Sequence, residues 1–112
     1  MPFVNVNTNT SITKEQETAV KTRLGSAIEY LGKTESWLMI GFHSDMPMYF
    51  KGDDAPCAFV DISVFGQSTD AQCEKMTAAV CEIMETELNI PPSRTYVKYS
   101  GTSQWGWNNM NF

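Results

Sequence analysis

The sequence predicts an α/β fold of the α+β two-layer kind: two βαβ units in pseudo-twofold repeat, forming a four-stranded sheet with two helices on one face. Three observations carry this reading. Phe3-Val-Asn-Val-Asn7 and Phe59-Val-Asp-Ile-Ser63 alternate apolar with polar residues and are rich in β-branched side chains, the pattern of a strand. Each is followed by a capping-box pattern, Thr13-Lys-Glu-Gln16 and Thr69-Asp-Ala-Gln72, that opens a helix. Both pairs stand 56 residues apart, Phe3 to Phe59 and Thr13 to Thr69, so the second half of the chain restates the first.

The elements follow in order. Phe3 to Thr8 is the first strand. From Thr13, the residues Val20, Leu24, Ala27, Ile28 and Leu31 recur at spacings of three and four, an apolar stripe opposite Glu17, Lys21, Arg23 and Glu29, and Gly32 is placed to stop the helix in a left-handed cap. Trp37 to Phe42 reads as a buried strand. Ser44 to Pro56 holds two prolines, a glycine and Asp53-Asp54, and reads as loop with at most a short strand around Met48-Tyr49-Phe50. After the strand from Ala58, Met76, Ala79, Val80, Ile83, Met84 and Leu88 make the second stripe, ended by Asn89 and Pro91-Pro92. Ser93 to Tyr99 is the last long strand, matching Ser36 to Phe42 at a displacement of 57, one residue longer than the others.

A βαβ crossover makes the two strands of each unit parallel and right-handed. With both helices on one side, the other sheet face is bare. Strand alternation places Met39, Phe59, Phe65 and Tyr96 on it, opposite Leu38, Ile40, Val60 and Val97, and such a face in a small chain points to an oligomer. The tail Trp105-Gly-Trp-Asn-Asn-Met-Asn-Phe112 carries three large aromatics in eight places, which predicts that it docks rather than trails in water.

Bulk properties bound the function. At 112 residues, 42% hydrophobic and 19% charged, the chain is expected to be a single domain spanning 1–112. A net charge of -5 and a pI near 4.7 argue against a nucleic-acid partner. No apolar run reaches the roughly 18 residues that suggest a membrane span, and the N-terminus lacks signal-peptide character, so the expected location is cytoplasmic. Cys57, Cys73 and Cys81 fit free thiols in a reducing compartment better than a disulfide framework. His43 is the single histidine, which leaves no multi-histidine metal site and no glycine-rich phosphate loop accompanies it; neither a metal nor a cofactor is expected. Asp53-Asp54 reads as a solvated turn.

The candidate for chemistry is Pro2. A small second residue permits removal of Met1, which leaves a prolyl secondary amine at the head of a strand. An ordinary α-amino group titrates at roughly 7.7–8.0; burial disfavours its cation and lowers the pKa, giving a general base near neutral pH.

Taken together, several stretches resemble the macrophage migration inhibitory factor (MIF) family of the tautomerase superfamily. They are Pro2 after Met1, Asn7-Thr8-Asn9, Leu31-Gly32-Lys33, Pro56-Cys57-Ala58, Ser93-Arg94-Thr95-Tyr96-Val97, and Gly106-Trp107-Asn108-Asn109 with a final Phe112. The resemblance runs over essentially the whole chain. It implies a homotrimer whose sheets line a central channel, with active sites at subunit boundaries. It also implies keto–enol tautomerisation of small aromatic 2-oxo acids such as phenylpyruvate, with Pro2 as base and no cofactor. By the same resemblance Lys33 holds the substrate carboxylate, Tyr96 and Trp107 border the pocket and Phe112 closes it. For the three aromatics a core or interface role stands beside the functional one. Phe3 and Phe65 complete the expected walls.

The departures matter too. Phe65 stands where the family has isoleucine, which keeps the backbone N–H but narrows the pocket. Lys98 stands where vertebrate members have asparagine; it either adds a second ammonium beside Pro2 and Lys33 or points to solvent. Trp105 replaces a smaller rim residue. The vertebrate Cys-x-x-Cys pair is reduced to Cys57, which reads as a small buried hydrophobe. Two other readings remain from the resemblance: a cytokine-like signalling protein with a vestigial pocket, exported without a leader as some members are, and a structural trimeric scaffold.

Overall fold

Local signals and tertiary pairing agree over most of the chain, whose computed structural model describes residues 1–112. The first half comprises β1 (Pro2–Thr8), α1 (Lys14–Ala27) and β2 (Met39–His43); the second comprises β3 (Ala58–Phe65), α2 (Asp70–Leu88) and β4 (Thr95–Thr102). A terminal hairpin of β5 (Gly106–Trp107) and β6 (Met110–Asn111) follows.

Both helices open on complete capping boxes. Thr13 Oγ1 accepts from the Gln16 N–H at 3.1 Å while Gln16 Oε1 accepts from the Thr13 N–H at 2.9 Å, and Thr69 with Gln72 repeats the exchange at 3.2 and 2.9 Å. Each cap stabilises its helix by about 1 kcal/mol. Helix α1 tightens into a 3-10 turn over Ile28–Leu31 and stops at Gly32, which has φ 72; α2 stops at Asn89, φ 57. Both are left-handed caps that a β-branched residue would resist.

The sheet order is β2-β1-β3-β4, with β1 parallel to β2, β3 parallel to β4, and the two units joined antiparallel through β1 and β3. Asn5 pairs with Asp61 in that central register, and these residues are also 56 apart. The repeat axis therefore passes between them: each is the other's counterpart and its neighbour. The even positions of the central strands, Val4, Val6, Val60 and Ile62, are fully buried against Val20, Leu24, Ile28, Met76, Val80 and Met84 of the helical layer. Each such side chain contributes roughly 1.5–3 kcal/mol by leaving water.

The alternate positions form the open face, odd-numbered in β1, β2 and β3 and even-numbered in β4, as strand alternation requires. Met39 and Tyr96 are 67% and 62% exposed, and Phe59 and Phe65 are half-buried, whereas Leu38, Ile40, Val60 and Val97 pack on the core side. The expected buried strand from Trp37 to Phe42 needs correction. The strand is Met39–His43 and none of its residues is buried, because β2 is the sheet edge and has a neighbour on one side only. Trp37 belongs instead to a 3-10 turn over Glu35–Trp37. The loop before β3 contains only an isolated bridge, Phe50 to Asp53. Asp53 is not a merely solvated turn residue: its carboxylate accepts from the Ala55 N–H at 3.0 Å and pairs with Arg94 at 3.0 Å. The tail docks, though loosely, with Trp107 and Phe112 each about half exposed.

Candidate active site

Strand β1 starts where β3 ends, since Pro2 pairs with Val64. This brings the N-terminus beside Phe65, whose N–H donates to the Met1 carbonyl at 2.9 Å. Lys33 reaches the same residue from the end of α1: once Gly32 turns the chain, Nζ donates to the Phe65 carbonyl at 3.0 Å. Phe65 thus receives the N-terminus on one side of its backbone and an ammonium on the other. Pro2 itself is buried. Burial first, and the Lys33 ammonium second, hold the Met1 α-amino group below its ordinary pKa.

Four aromatic rings adjoin this point. Trp37 meets Trp107 edge-to-face at 5.0 Å, Trp107 stacks with Phe112 at 6.0 Å, and Phe112 lies 5.7 Å from Phe65. The hairpin presents Trp107 and Phe112 together because Asn108 and Asn109 both take positive φ, 52 and 69, the tight turn that Asn tolerates. The Phe112 N–H closes it by donating to the Trp105 carbonyl at 3.0 Å. Trp37 was absent from the residues expected at the site. No local signal marks it, because it joins the site only through its contact with Trp107.

Pro2, Lys33, Phe65, Trp107 and Phe112 are therefore gathered at one end of the sheet. Tyr96 and Lys98 are not. Lys98 pairs with Asp61, three residues before Val64, or about 10 Å along the strand. Its Nζ stands 4.0 Å from Asp61 Oδ1, an ion-pair separation beyond hydrogen-bond reach, and that buried oxygen has no hydrogen-bond partner. Tyr96 lies farther along, paired with Phe59 and meeting Phe50 edge-to-face at 5.1 Å. Phe3 turns its ring over Gly41 on the open face. His43 Nδ1 is 3.1 Å from Asn5 Oδ1, a satisfied strand-end histidine, and Cys57 is buried. A groove of about 550 Å³ runs between the helices past Arg23, Tyr30 and Glu82, away from Pro2.

This arrangement can hold an anion against Lys33 beside a shielded N-terminal amine. A family model described as macrophage migration inhibitory factor (MIF) matches residues 1–112. The chain belongs to the MIF family. It is 26% identical to the macrophage migration inhibitory factor of Xenopus laevis over 114 aligned positions, covering all of this chain and 99% of the relative. The crystal structure of Leishmania major MIF2 superposes with a TM-score of 0.95 at 30% identity, covering 100% of this chain and 97% of that one. The Toxoplasma gondii homologue gives 0.87 at 28%, covering 98% and 99%. The fold is that of the tautomerase superfamily, with two βαβ units and a four-stranded mixed sheet.

Proposed function

We propose that this MIF-family chain is a keto–enol tautomerase of small aromatic 2-oxo acids of the phenylpyruvate type, using Pro2 as general base once Met1 is removed. One observation carries the reading: an amine at this end of β1 is held below its ordinary pKa by burial and by Lys33. Removing Met1 transfers the free amine to Pro2, the buried first residue of the same strand.

The chemistry then follows from the chain's own groups. Neutral Pro2 nitrogen takes a proton from the carbon beside the carbonyl and gives it back at the carbonyl oxygen, or runs the reverse from the enol. Lys33 spends one of its three donors on the Phe65 carbonyl, leaving two for the substrate carboxylate. Loss of Met1 also frees the Phe65 N–H, now bonded to the Met1 carbonyl, as a further donor toward the acid or the enolate. Phe65, Trp107 and Phe112 shield the amine from water. Tyr96 and Lys98 lie too far along their own strand to serve this Pro2, so in a homotrimer they are assigned to a neighbouring subunit's site. A reducing, cytoplasmic setting suits the three free cysteines.

Intact mass to establish the N-terminus, combined with a phenylpyruvate assay of the processed protein and of Pro2→Gly, tests the reading. Equal rates in parent and variant would remove Pro2 from the mechanism. The second reading, a cytokine-like signalling protein, is favoured by the relatives' shared name and by the exposed aromatic Tyr49 in the loop before β3. Receptor binding that survives in a Pro2→Gly protein without activity would support it.

A further inference from the structure

The separations along Phe65, Phe112 and Trp107, 5.7 and 6.0 Å, are those of rings in direct contact. A third ring sandwiched between two others would need them about 7–8 Å apart, twice the optimal carbon–carbon contact. No slot for a phenyl group is open between these rings. The two ends of the contact also differ in how firmly they are held. Phe65 closes β3, its carbonyl accepts from Lys33, it pairs with Thr102 of β4, and the next residue, Gly66, donates its N–H to the Thr102 carbonyl at 2.8 Å. Phe112 is 52% exposed, and its one backbone hydrogen bond goes to Trp105 within its own hairpin. When the contact opens, Phe112 is the part that moves.

We infer that Phe65 is the specificity-determining residue of the Pro2 site: by holding the Phe112 ring in contact with its own, it lowers the site's preference for aryl over short aliphatic 2-oxo acids below what a smaller residue at this position would give. Because no slot is open between these rings, an aryl side chain enters by displacing Phe112, and a two- or three-carbon side chain demands less of that displacement. The inference rests on the tautomerase reading and refines its substrate class.

The test uses the full chain with Met1 removed. Proton–deuterium exchange at C3 is followed by NMR for phenylpyruvate and 2-oxobutyrate with the parent, Phe65→Ile, Phe65→Tyr and Phe112→Ala. In parallel, binding of the unreactive acids phenylacetate and propionate is read by tryptophan fluorescence. The ratio of kcat/KM for the aryl over the aliphatic acid is expected to rise about tenfold in Phe65→Ile and Phe112→Ala, within the range that one pocket group can supply. Phe65→Tyr, which keeps the ring, retains the parent ratio. An unchanged ratio in either of the first two variants, or an equal rise in Phe65→Tyr, overturns the inference. Should the parent exchange neither acid, the tautomerase reading fails and the binding arm decides alone: a phenylacetate-to-propionate affinity ratio equal in parent and Phe65→Ile overturns the inference, and a raised one supports it.

Discussion

Lys33 Nζ donates to the carbonyl oxygen of Phe65 at 3.0 Å, tying the end of the first helix to the end of the third strand. The bond fixes an ammonium beside the chain's N-terminus, where burial first and this charge second lower the pKa of the terminal amine. Lys33→Gln keeps the length but removes the charge. A hydrogen bond to a charged group contributes about 1.5–3 kcal/mol, so kcat/KM for a 2-oxo acid should fall roughly 10- to 100-fold. The pH dependence should move as well. With the neighbouring cation gone, the base holds its proton to higher pH, and the rising limb of the kcat/KM profile shifts upward. A limb that stays in place would show that Lys33 does not act on the base.

Processing of the N-terminus makes a separate prediction. While Met1 is present, the Pro2 nitrogen is an amide and accepts no proton. Preparations with different fractions of Met1 removed, each quantified by intact mass, should show rates proportional to the processed fraction. The unprocessed limit should lie about 10²- to 10⁴-fold below the fully processed protein, the usual contribution of a positioned acid–base group. Activity that is independent of the processed fraction would assign the base elsewhere.

Much of this was legible in the sequence because the signals were local and occurred twice. The capping boxes at Thr13 and Thr69, the left-handed stops at Gly32 and Asn89, and the alternation of β1 and β3 each follow from a few adjacent residues. The family motifs pointed to Pro2, Lys33, Trp107 and Phe112, with Phe65 a departure from the family's isoleucine, and the fold gathers all five at one sheet end. What escaped depended on partners distant in the chain. Apolar residues in β2 suggested burial, but an edge position is set by strand order. Trp37 became a site neighbour only through Trp107, which is 70 residues away, and Asp53 acquired a role only through Arg94. The distance of Tyr96 and Lys98 from Pro2 follows from register, which motif order does not encode.

Arg94 provides a stability test. Its side chain is 14% exposed and donates to four carbonyls of one loop: Pro56 at 2.9 Å, Phe50 at 3.2 Å, Asp53 at 3.3 Å and Ala55 at 2.9 Å. The guanidinium also stands 5.2 Å from the Phe50 ring centre, and Phe50 in turn meets Tyr96. Lysine keeps the charge but has neither the planar fork nor enough donors. Arg94→Lys should therefore recover little of the loss in Arg94→Ala, which we expect to be about 2–3 kcal/mol, or roughly 10 °C in Tm. Limited proteolysis should cut between residues 44 and 56 faster in both variants. Full rescue by lysine would mean that charge, not the fork, holds the loop.

Tyr99 sets an alkaline limit on the fold. It lies under α2, where its hydroxyl meets Thr77 Oγ1 at 2.8 Å and donates to the Cys73 carbonyl at 3.0 Å. Burial is the largest influence and pushes its pKa up to about 12; the Thr77 hydrogen bond works in the opposite direction, and the Cys73 and Cys81 thiols add to the rise. An unfolded tyrosine ionises near pH 10. Between about pH 10 and 12 the unfolded chain binds fewer protons at this group than the native one, so stability falls as pH rises through that window and is unaffected below it. Tyr99→Phe lacks the ionisation and also the hydrogen bond to Cys73, which contributes about 1 kcal/mol. In urea unfolding the parent should exceed the variant in stability up to about pH 10, and the gap should then narrow as the pH is raised further. A gap that stays constant from pH 8 to 12 would place the Tyr99 hydroxyl in contact with water and its titration outside the stability of the fold.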